Sequence, residues 1–97
     1  MLIRIVKLSF KDEKIADFIQ HFNSNKEKIR SFKGCRYLEL NRVKETTVFF
    51  TYSHWDSEQS LENYRNSALF KTVWEKTKPW FSSTPEAWSL EQIENLP

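Results

Sequence analysis

Cysteine occurs once, at position 35, in a chain of 97 residues. A lone thiol excludes an intramolecular disulfide framework and any multi-cysteine zinc site, and it suits a reducing compartment. Charge of one sign is also lacking. Against 15 basic residues stand 13 acidic ones, for a net charge of +2, and no basic block is longer than a pair. This is the pattern of a solvated surface and makes no positive case for nucleic acid or an anionic membrane. No apolar run approaches the roughly 20 residues of a membrane span. Arg4 and Lys7 interrupt the apolar core that a signal peptide would need. The expectation is a cytoplasmic protein with no metal, no membrane and no nucleic-acid partner.

What the chain has in quantity is aromatic surface: four Trp, eight Phe and three Tyr. Large rings supply much burial per residue, which helps a chain too short to bury most of its surface. The length fits one domain over residues 1–97, with no internal repeat, linker or low-complexity stretch.

Periodicity orders the elements. Residues 2–10 read as a strand that is apolar on both parities, with Arg4 and Lys7 as polar exceptions. Residues 12–30 read as a helix with Asp12 as cap and a stripe of Ile15, Phe18, Ile19, Phe22, Lys26 and Ile29, leaving His21 on the surface. Gly34, the only glycine, stands where a helix gives way to a strand and a positive φ is often needed. Cys35–Val43 and Thr46–Trp55 read as a hairpin joined at Lys44-Glu45. Asp56 and Ser57 both offer an N-cap for a short helix running to Arg65, and Asp56 with Gln59 fits a capping box. Ser67 can cap a second helix on which Phe70, Val73, Trp74 and Thr77 share a face, and Pro79 ends it. Residues 86–93 read as a last strand. The order is βαββαβ with a broken second helix, an α+β, ferredoxin-like arrangement in which helices cover one face of the sheet. The other face, apolar but uncovered, is expected to pair with a second copy in a homodimer; the alternative is a monomer with a half-wet sheet.

The stretch Phe50-Thr51-Tyr52-Ser53-His54-Trp55-Asp56-Ser57, followed by Leu61, Tyr64-Arg65-Asn66-Ser67 and Phe70, resembles the antibiotic biosynthesis monooxygenase (ABM) domain family. Members of that family close the third strand with Trp and open the next helix with a polar cap. Then come a Leu, an aromatic or His, a Ser or Thr at the helix break, and a Phe three residues later. Trp55, Ser57, Leu61, Tyr64, Ser67 and Phe70 occupy those places here, and the order of elements matches over nearly the whole chain. The resemblance implies a dimeric α/β barrel with a small-molecule pocket in each subunit, between the sheet and the broken helix pair. It covers cofactor-independent oxygenases of aromatic polyketides, haem-degrading enzymes, isomerases and members without known activity. Haem degradation is not expected. Trp74 stands where those relatives have the iron-ligating His, Ile5 aligns with their Asn, and Tyr64 replaces their Trp; an indole does not ligate iron.

Oxygenation without a cofactor requires a substrate that loses a proton to become an electron-rich anion, which then reduces dioxygen. The protein supplies a dry pocket, a base and a stabilising donor. On this reading Tyr64 and Trp74 orient an aromatic or enolisable substrate, while Trp55 and Phe70 form walls. Arg4 or Arg65 stabilises an enolate oxygen, and His54 or Tyr64 handles the proton. Tyr64 is first a hydrogen-bond donor, because a phenol is neutral at pH 7. Each residue also has a structural role open to it. Trp55, Phe70 and Trp74 can be core, Tyr64 can anchor its hydroxyl at the rim, and His54 lies on the parity opposite Trp55. Arg4 and Lys7 need partners, for which Glu39 is one option, and Cys35 reads as inert packing. Beside the oxygenase stand a non-catalytic small-molecule binder on the same fold and an RNA-binding module. The latter shares the βαββαβ order but lacks the basic-Gly-aromatic signature on its third strand.

Overall fold

The computed structural model describes residues 1–97. Four strands form one antiparallel sheet: β1 (Leu2–Ser9), β2 (Cys35–Arg42), β3 (Val48–Trp55) and β4 (Glu86–Glu91), in the order β2-β3-β1-β4. Three α-helices connect them: α1 (Ile15–Arg30), α2 (Glu58–Arg65) and α3 (Ala68–Thr77). This is the ferredoxin-like α+β arrangement with a broken second helix. No helix is long and apolar enough to cross a membrane.

Register sorts the side chains into two faces. Leu2 pairs with Trp55, Arg4 with Ser53, Val6 with Thr51 and Leu8 with Phe49, so these residues share the face that the helices cover. Leu8, Phe10, Phe18 and Phe49 are buried together there, with Phe10 stacked on Phe18 at 4.1 Å between centroids. A second cluster, Cys35, Trp55 and Leu61, seats α2. The opposite face carries Ile3, Ile5 and Lys7 of β1, Phe50, Tyr52 and His54 of β3, Tyr37 and Glu39 of β2, and Trp88 and Leu90 of β4. An irregularity between Cys35 and Tyr37 lets Cys35 pair with Trp55 while Tyr37 pairs with His54. Simple alternation would put Cys35 and Tyr37 on one face; the extra residue, Arg36, separates them.

Gly34 is the hinge between α1 and β2. Its φ is +92°, and a Cβ built there would stand 2.5 Å from the Ser60 Cβ. Both the left-handed backbone and the close passage of α2 demand glycine.

Several local expectations are corrected. Asp12 does not cap α1. It lies inside a 3-10 turn, Asp12–Lys14, that precedes the helix without a side-chain cap. Asp56 makes no capping box, because Arg36 claims its carboxylate through two hydrogen bonds of 2.6 and 2.9 Å. Of the two cap candidates it is Ser57 that caps α2, accepting from the Ser60 N–H. His21 is buried, not on the surface. The end of α3 and the 3-10 turn Lys78–Trp80 pack beside it, giving Nε2 the Val73 carbonyl at 3.1 Å and an edge-on Trp80 ring. Nδ1 faces the Asn25 amide at 3.3 Å, so both ring nitrogens have polar partners. Glu39 partners neither Arg4 nor Lys7. It accepts from Tyr37 and Asn41, while Lys7 approaches Glu86 at 3.7 Å and Arg4 donates to Ser89.

Candidate functional site

Between the sheet and the helix layer lies a cavity of about 450 Å³. Its floor is the helix-side face of the sheet, with Arg4, Val6 and Leu8 from β1, Thr51, Ser53 and Trp55 from β3, Leu38 from β2 and Ala87 from β4. Phe18, Phe22 and Ile29 of α1 close one side. Leu61, Tyr64 and Arg65 of α2 and Phe70, Val73, Trp74 and Thr77 of α3 close the other.

The break between α2 and α3 shapes this second wall. α2 ends at Arg65, and Ser67 restarts the chain as the N-cap of α3, accepting from the Phe70 N–H at 3.1 Å. The same hydroxyl donates to the Tyr64 carbonyl at 2.6 Å, so one side chain splices the end of one helix to the start of the next. The change of axis lines up rings from both helices. Tyr64 stacks on Trp55 (5.0 Å, 27°) and meets Phe70 edge-on (5.2 Å, 78°), and Phe70 stacks on Trp74 (5.6 Å, 13°). The Trp55 indole is fixed from the sheet side by a 2.9 Å hydrogen bond to Ser53 Oγ.

Six of the residues expected at a site therefore meet in one cavity: Arg4, Trp55, Tyr64, Arg65, Phe70 and Trp74. His54 does not join them. It lies on the far face of the sheet, in van der Waals reach of Tyr37 and Tyr52 with ring centroids at 5.0 and 5.1 Å. Its Nε2 is shielded from solvent and has no hydrogen-bond partner within the chain. Ile5 points to that far face too. Pocket residues that the sequence reading passed over include Thr51 and Ser53, and their signal was available: they stand four and two places before Trp55 and share its parity.

Burial pushes the Tyr64 phenol far above its ordinary value of 10.0, with a smaller push from nearby Cys35. The ring is a neutral donor, not a base. Arg4 is held below the ordinary arginine range, first by burial and then by the like charge of Arg65, with Glu62 opposing. Burial likewise raises the Cys35 thiol. No carboxylate, imidazole or thiol lines the cavity, and no group of three His, Cys, Asp or Glu side chains is placed to hold a metal ion. The arrangement can bind a flat apolar molecule between aromatic walls, donate a hydrogen bond from Tyr64 and oppose a negative charge with arginine.

Residues 1–76 match the sequence model of the antibiotic biosynthesis monooxygenase family. Solved structures repeat the whole fold. A protein of Nitrosomonas europaea provisionally named an antibiotic biosynthesis monooxygenase superposes with a TM-score of 0.90 at 17% identity, over 97% of this chain and 100% of its own. One of Caulobacter crescentus with the same provisional name gives 0.89 at 22% identity, over 96% and 90%. A conserved protein of Methanosarcina mazei gives 0.86 at 21% identity, over 95% and 93%. No curated protein sequence matches the chain.

Proposed function

We propose, from the premise that this chain belongs to the antibiotic biosynthesis monooxygenase family, that it oxygenates a small aromatic or enolisable compound without a cofactor. The observation that carries this reading is the aromatic-walled cavity between the sheet and the broken helix pair, whose lining includes the Tyr64 hydroxyl-bearing ring and Arg4. A substrate of the anthrone type, with an acidic CH₂ beside a carbonyl, stacks between the rings. The Arg4 charge and the Tyr64 hydroxyl favour its enolate, whose proton leaves through the mouth of the cavity. The enolate gives one electron to dioxygen, and the resulting radical and superoxide combine to a peroxide. Loss of water then turns the CH₂ into C=O, so R₂CH₂ and O₂ become R₂C=O and H₂O. His54 takes no part, because the sheet separates it from the cavity.

Oxygen uptake with an anthrone or a quinol tests this. Turnover with one O₂ consumed per anthrone, and kcat/KM reduced about tenfold or more in Tyr64→Phe, is the expected outcome. No uptake across a broad panel sinks it. A second reading, a binder without turnover, is favoured by the lack of any base in the cavity lining. Native mass spectrometry that finds an unchanged small molecule in protein inactive with every such compound selects it.

The uncovered sheet face supports a homodimer. Tyr37, Trp88 and Leu90 are 42%, 45% and 41% exposed there, an apolar surface next to the unpartnered His54 Nε2. A second copy packed against this face removes that surface from water and brings polar atoms within reach of the ring. The same aromatics invite comparison with an RNA-binding sheet, but Glu39 and Glu86 stand among them and oppose phosphate. The single buried thiol suits the cytoplasm.

A further inference from the structure

Two arginines line the same cavity, and only one of them has a carboxylate partner. Arg4, half-buried on the floor, makes one side-chain hydrogen bond, from Nη1 to Ser89 Oγ at 3.0 Å, and no ion pair. A guanidinium has five N–H donors, so most of its fork is unused. Arg65, exposed on α2 at the rim, reaches only Glu62, through a single loose contact of 3.5 Å. The charged neighbours that act on Arg4 are Arg65 and Glu62. Two positive charges against one negative leave a surplus of one positive charge at the edge of an apolar cavity. Like charges gathered at such a place cost free energy in the empty protein, and an anion between them recovers it.

We propose that the ligand of this cavity is an aromatic monocarboxylate: its ring lies against Tyr64, Phe70 and Trp74, and its carboxylate sits between Arg4 and Arg65. The proposal rests on the pocket assignment above and adds the charge of the ligand. The surplus of one charge selects a monoanion over a phosphate dianion. The planar fork of arginine matches a carboxylate in two parallel hydrogen bonds. Arg4 and Arg65 come from different layers, sheet and helix, so their convergence is a property of the fold. The carboxylate is a fixed handle: once it engages Arg4, the enolate oxygen that forms during oxygenation is left to the Tyr64 hydroxyl, and the reactive carbon lies deeper among the rings.

Titration with 2-naphthoate and its uncharged isostere 2-naphthamide, followed by calorimetry and by quenching of tryptophan fluorescence, tests the assignment. The expected result is naphthoate binding about tenfold tighter than the amide, or more. In Arg4→Gln that ratio falls to about threefold, the share left to Arg65, while the affinity for the amide stays within about twofold. Arg65→Gln, an exposed change that leaves the fold intact, lowers naphthoate affinity about threefold or more and spares the amide. Equal binding of acid and amide overturns the charge assignment and leaves the pocket standing. Failure of both to bind overturns the pocket with it. Tighter binding of naphthyl phosphate than of naphthoate overturns the monoanion.

Discussion

Tyr64 shows how burial decides the chemistry of a side chain. In water a phenol is a weak acid that loses its proton near pH 10. Here the ring is packed between Trp55, Phe32 and Phe70, and the charged form is disfavoured because it would have to leave water. The folded-state value is raised, so the stabilising effect of the neutral ring is complete below pH 10 and is lost as pH rises beyond it. Urea midpoints measured from pH 8 to 11 should fall at the alkaline end in the native protein and fall less steeply in Tyr64→Phe. Parallel curves would show that the phenol is not the group responsible. Asp56 has the opposite sign. Its hydrogen bonds from Arg36 hold the carboxyl below its usual range, so that contribution is present at neutral pH and is lost only as pH falls below about 4. His21 was misplaced by its sequence context. A histidine next to Phe22 on a polar stretch reads as surface; Asn25, one turn on, supplies a local partner, and the packing of α3 and Trp80, with the Val73 carbonyl on Nε2, buries it.

Among the elements, the α2–α3 break matters most to the pocket. A continuous helix from Glu58 to Thr77 would carry Tyr64 and Phe70 around one axis. The splice at Ser67 resets that axis and puts Tyr64, Phe70 and Trp74 in one row. Ser67→Ala removes the cap on Phe70 N and the bond to the Tyr64 carbonyl together. A loss of about 1–2 kcal/mol is expected, read as a fall in melting temperature of about 4–16 °C for a domain of this size. Ser67→Thr, which keeps the hydroxyl, should retain most of it. The break was legible in the sequence because Asn66-Ser67 interrupts the apolar spacing and serine is a strong cap. The local shift in β2 was not legible, because nothing in Cys35-Arg36-Tyr37 announces an extra residue. It follows from pairing Cys35 with Trp55 on one side of the sheet and Tyr37 with His54 on the other.

At the scale of the molecule the two sheet faces have different fates. One is covered by helices and holds the cavity. The other exposes apolar side chains and leaves His54 Nε2 without a partner. Under the proposed pairing, Phe50→Glu, in the middle of that face, places a charge where the second copy must pack. Native mass spectrometry and light scattering should report a dimer for the native chain and a monomer for the variant. A native chain that stays monomeric at high micromolar concentration would rule the pairing out.

Legible in the chain alone were the order of elements, the broken second helix, the family and six of the twenty side chains that line the cavity. Each depends on spacing along the chain: alternation in strands, three- and four-residue steps in helices, caps at their starts. Which partners meet across layers followed from packing. It gave Lys7 to Glu86, Arg4 to Ser89 and Asp56 to Arg36, buried His21, and left His54 on the far side of the sheet. It also brought Arg4 and Arg65, 61 positions apart in the chain, to one cavity. The reason is physical. Local patterns are set by backbone geometry between near neighbours, whereas charge pairing and burial depend on distances that exist only after the layers have packed.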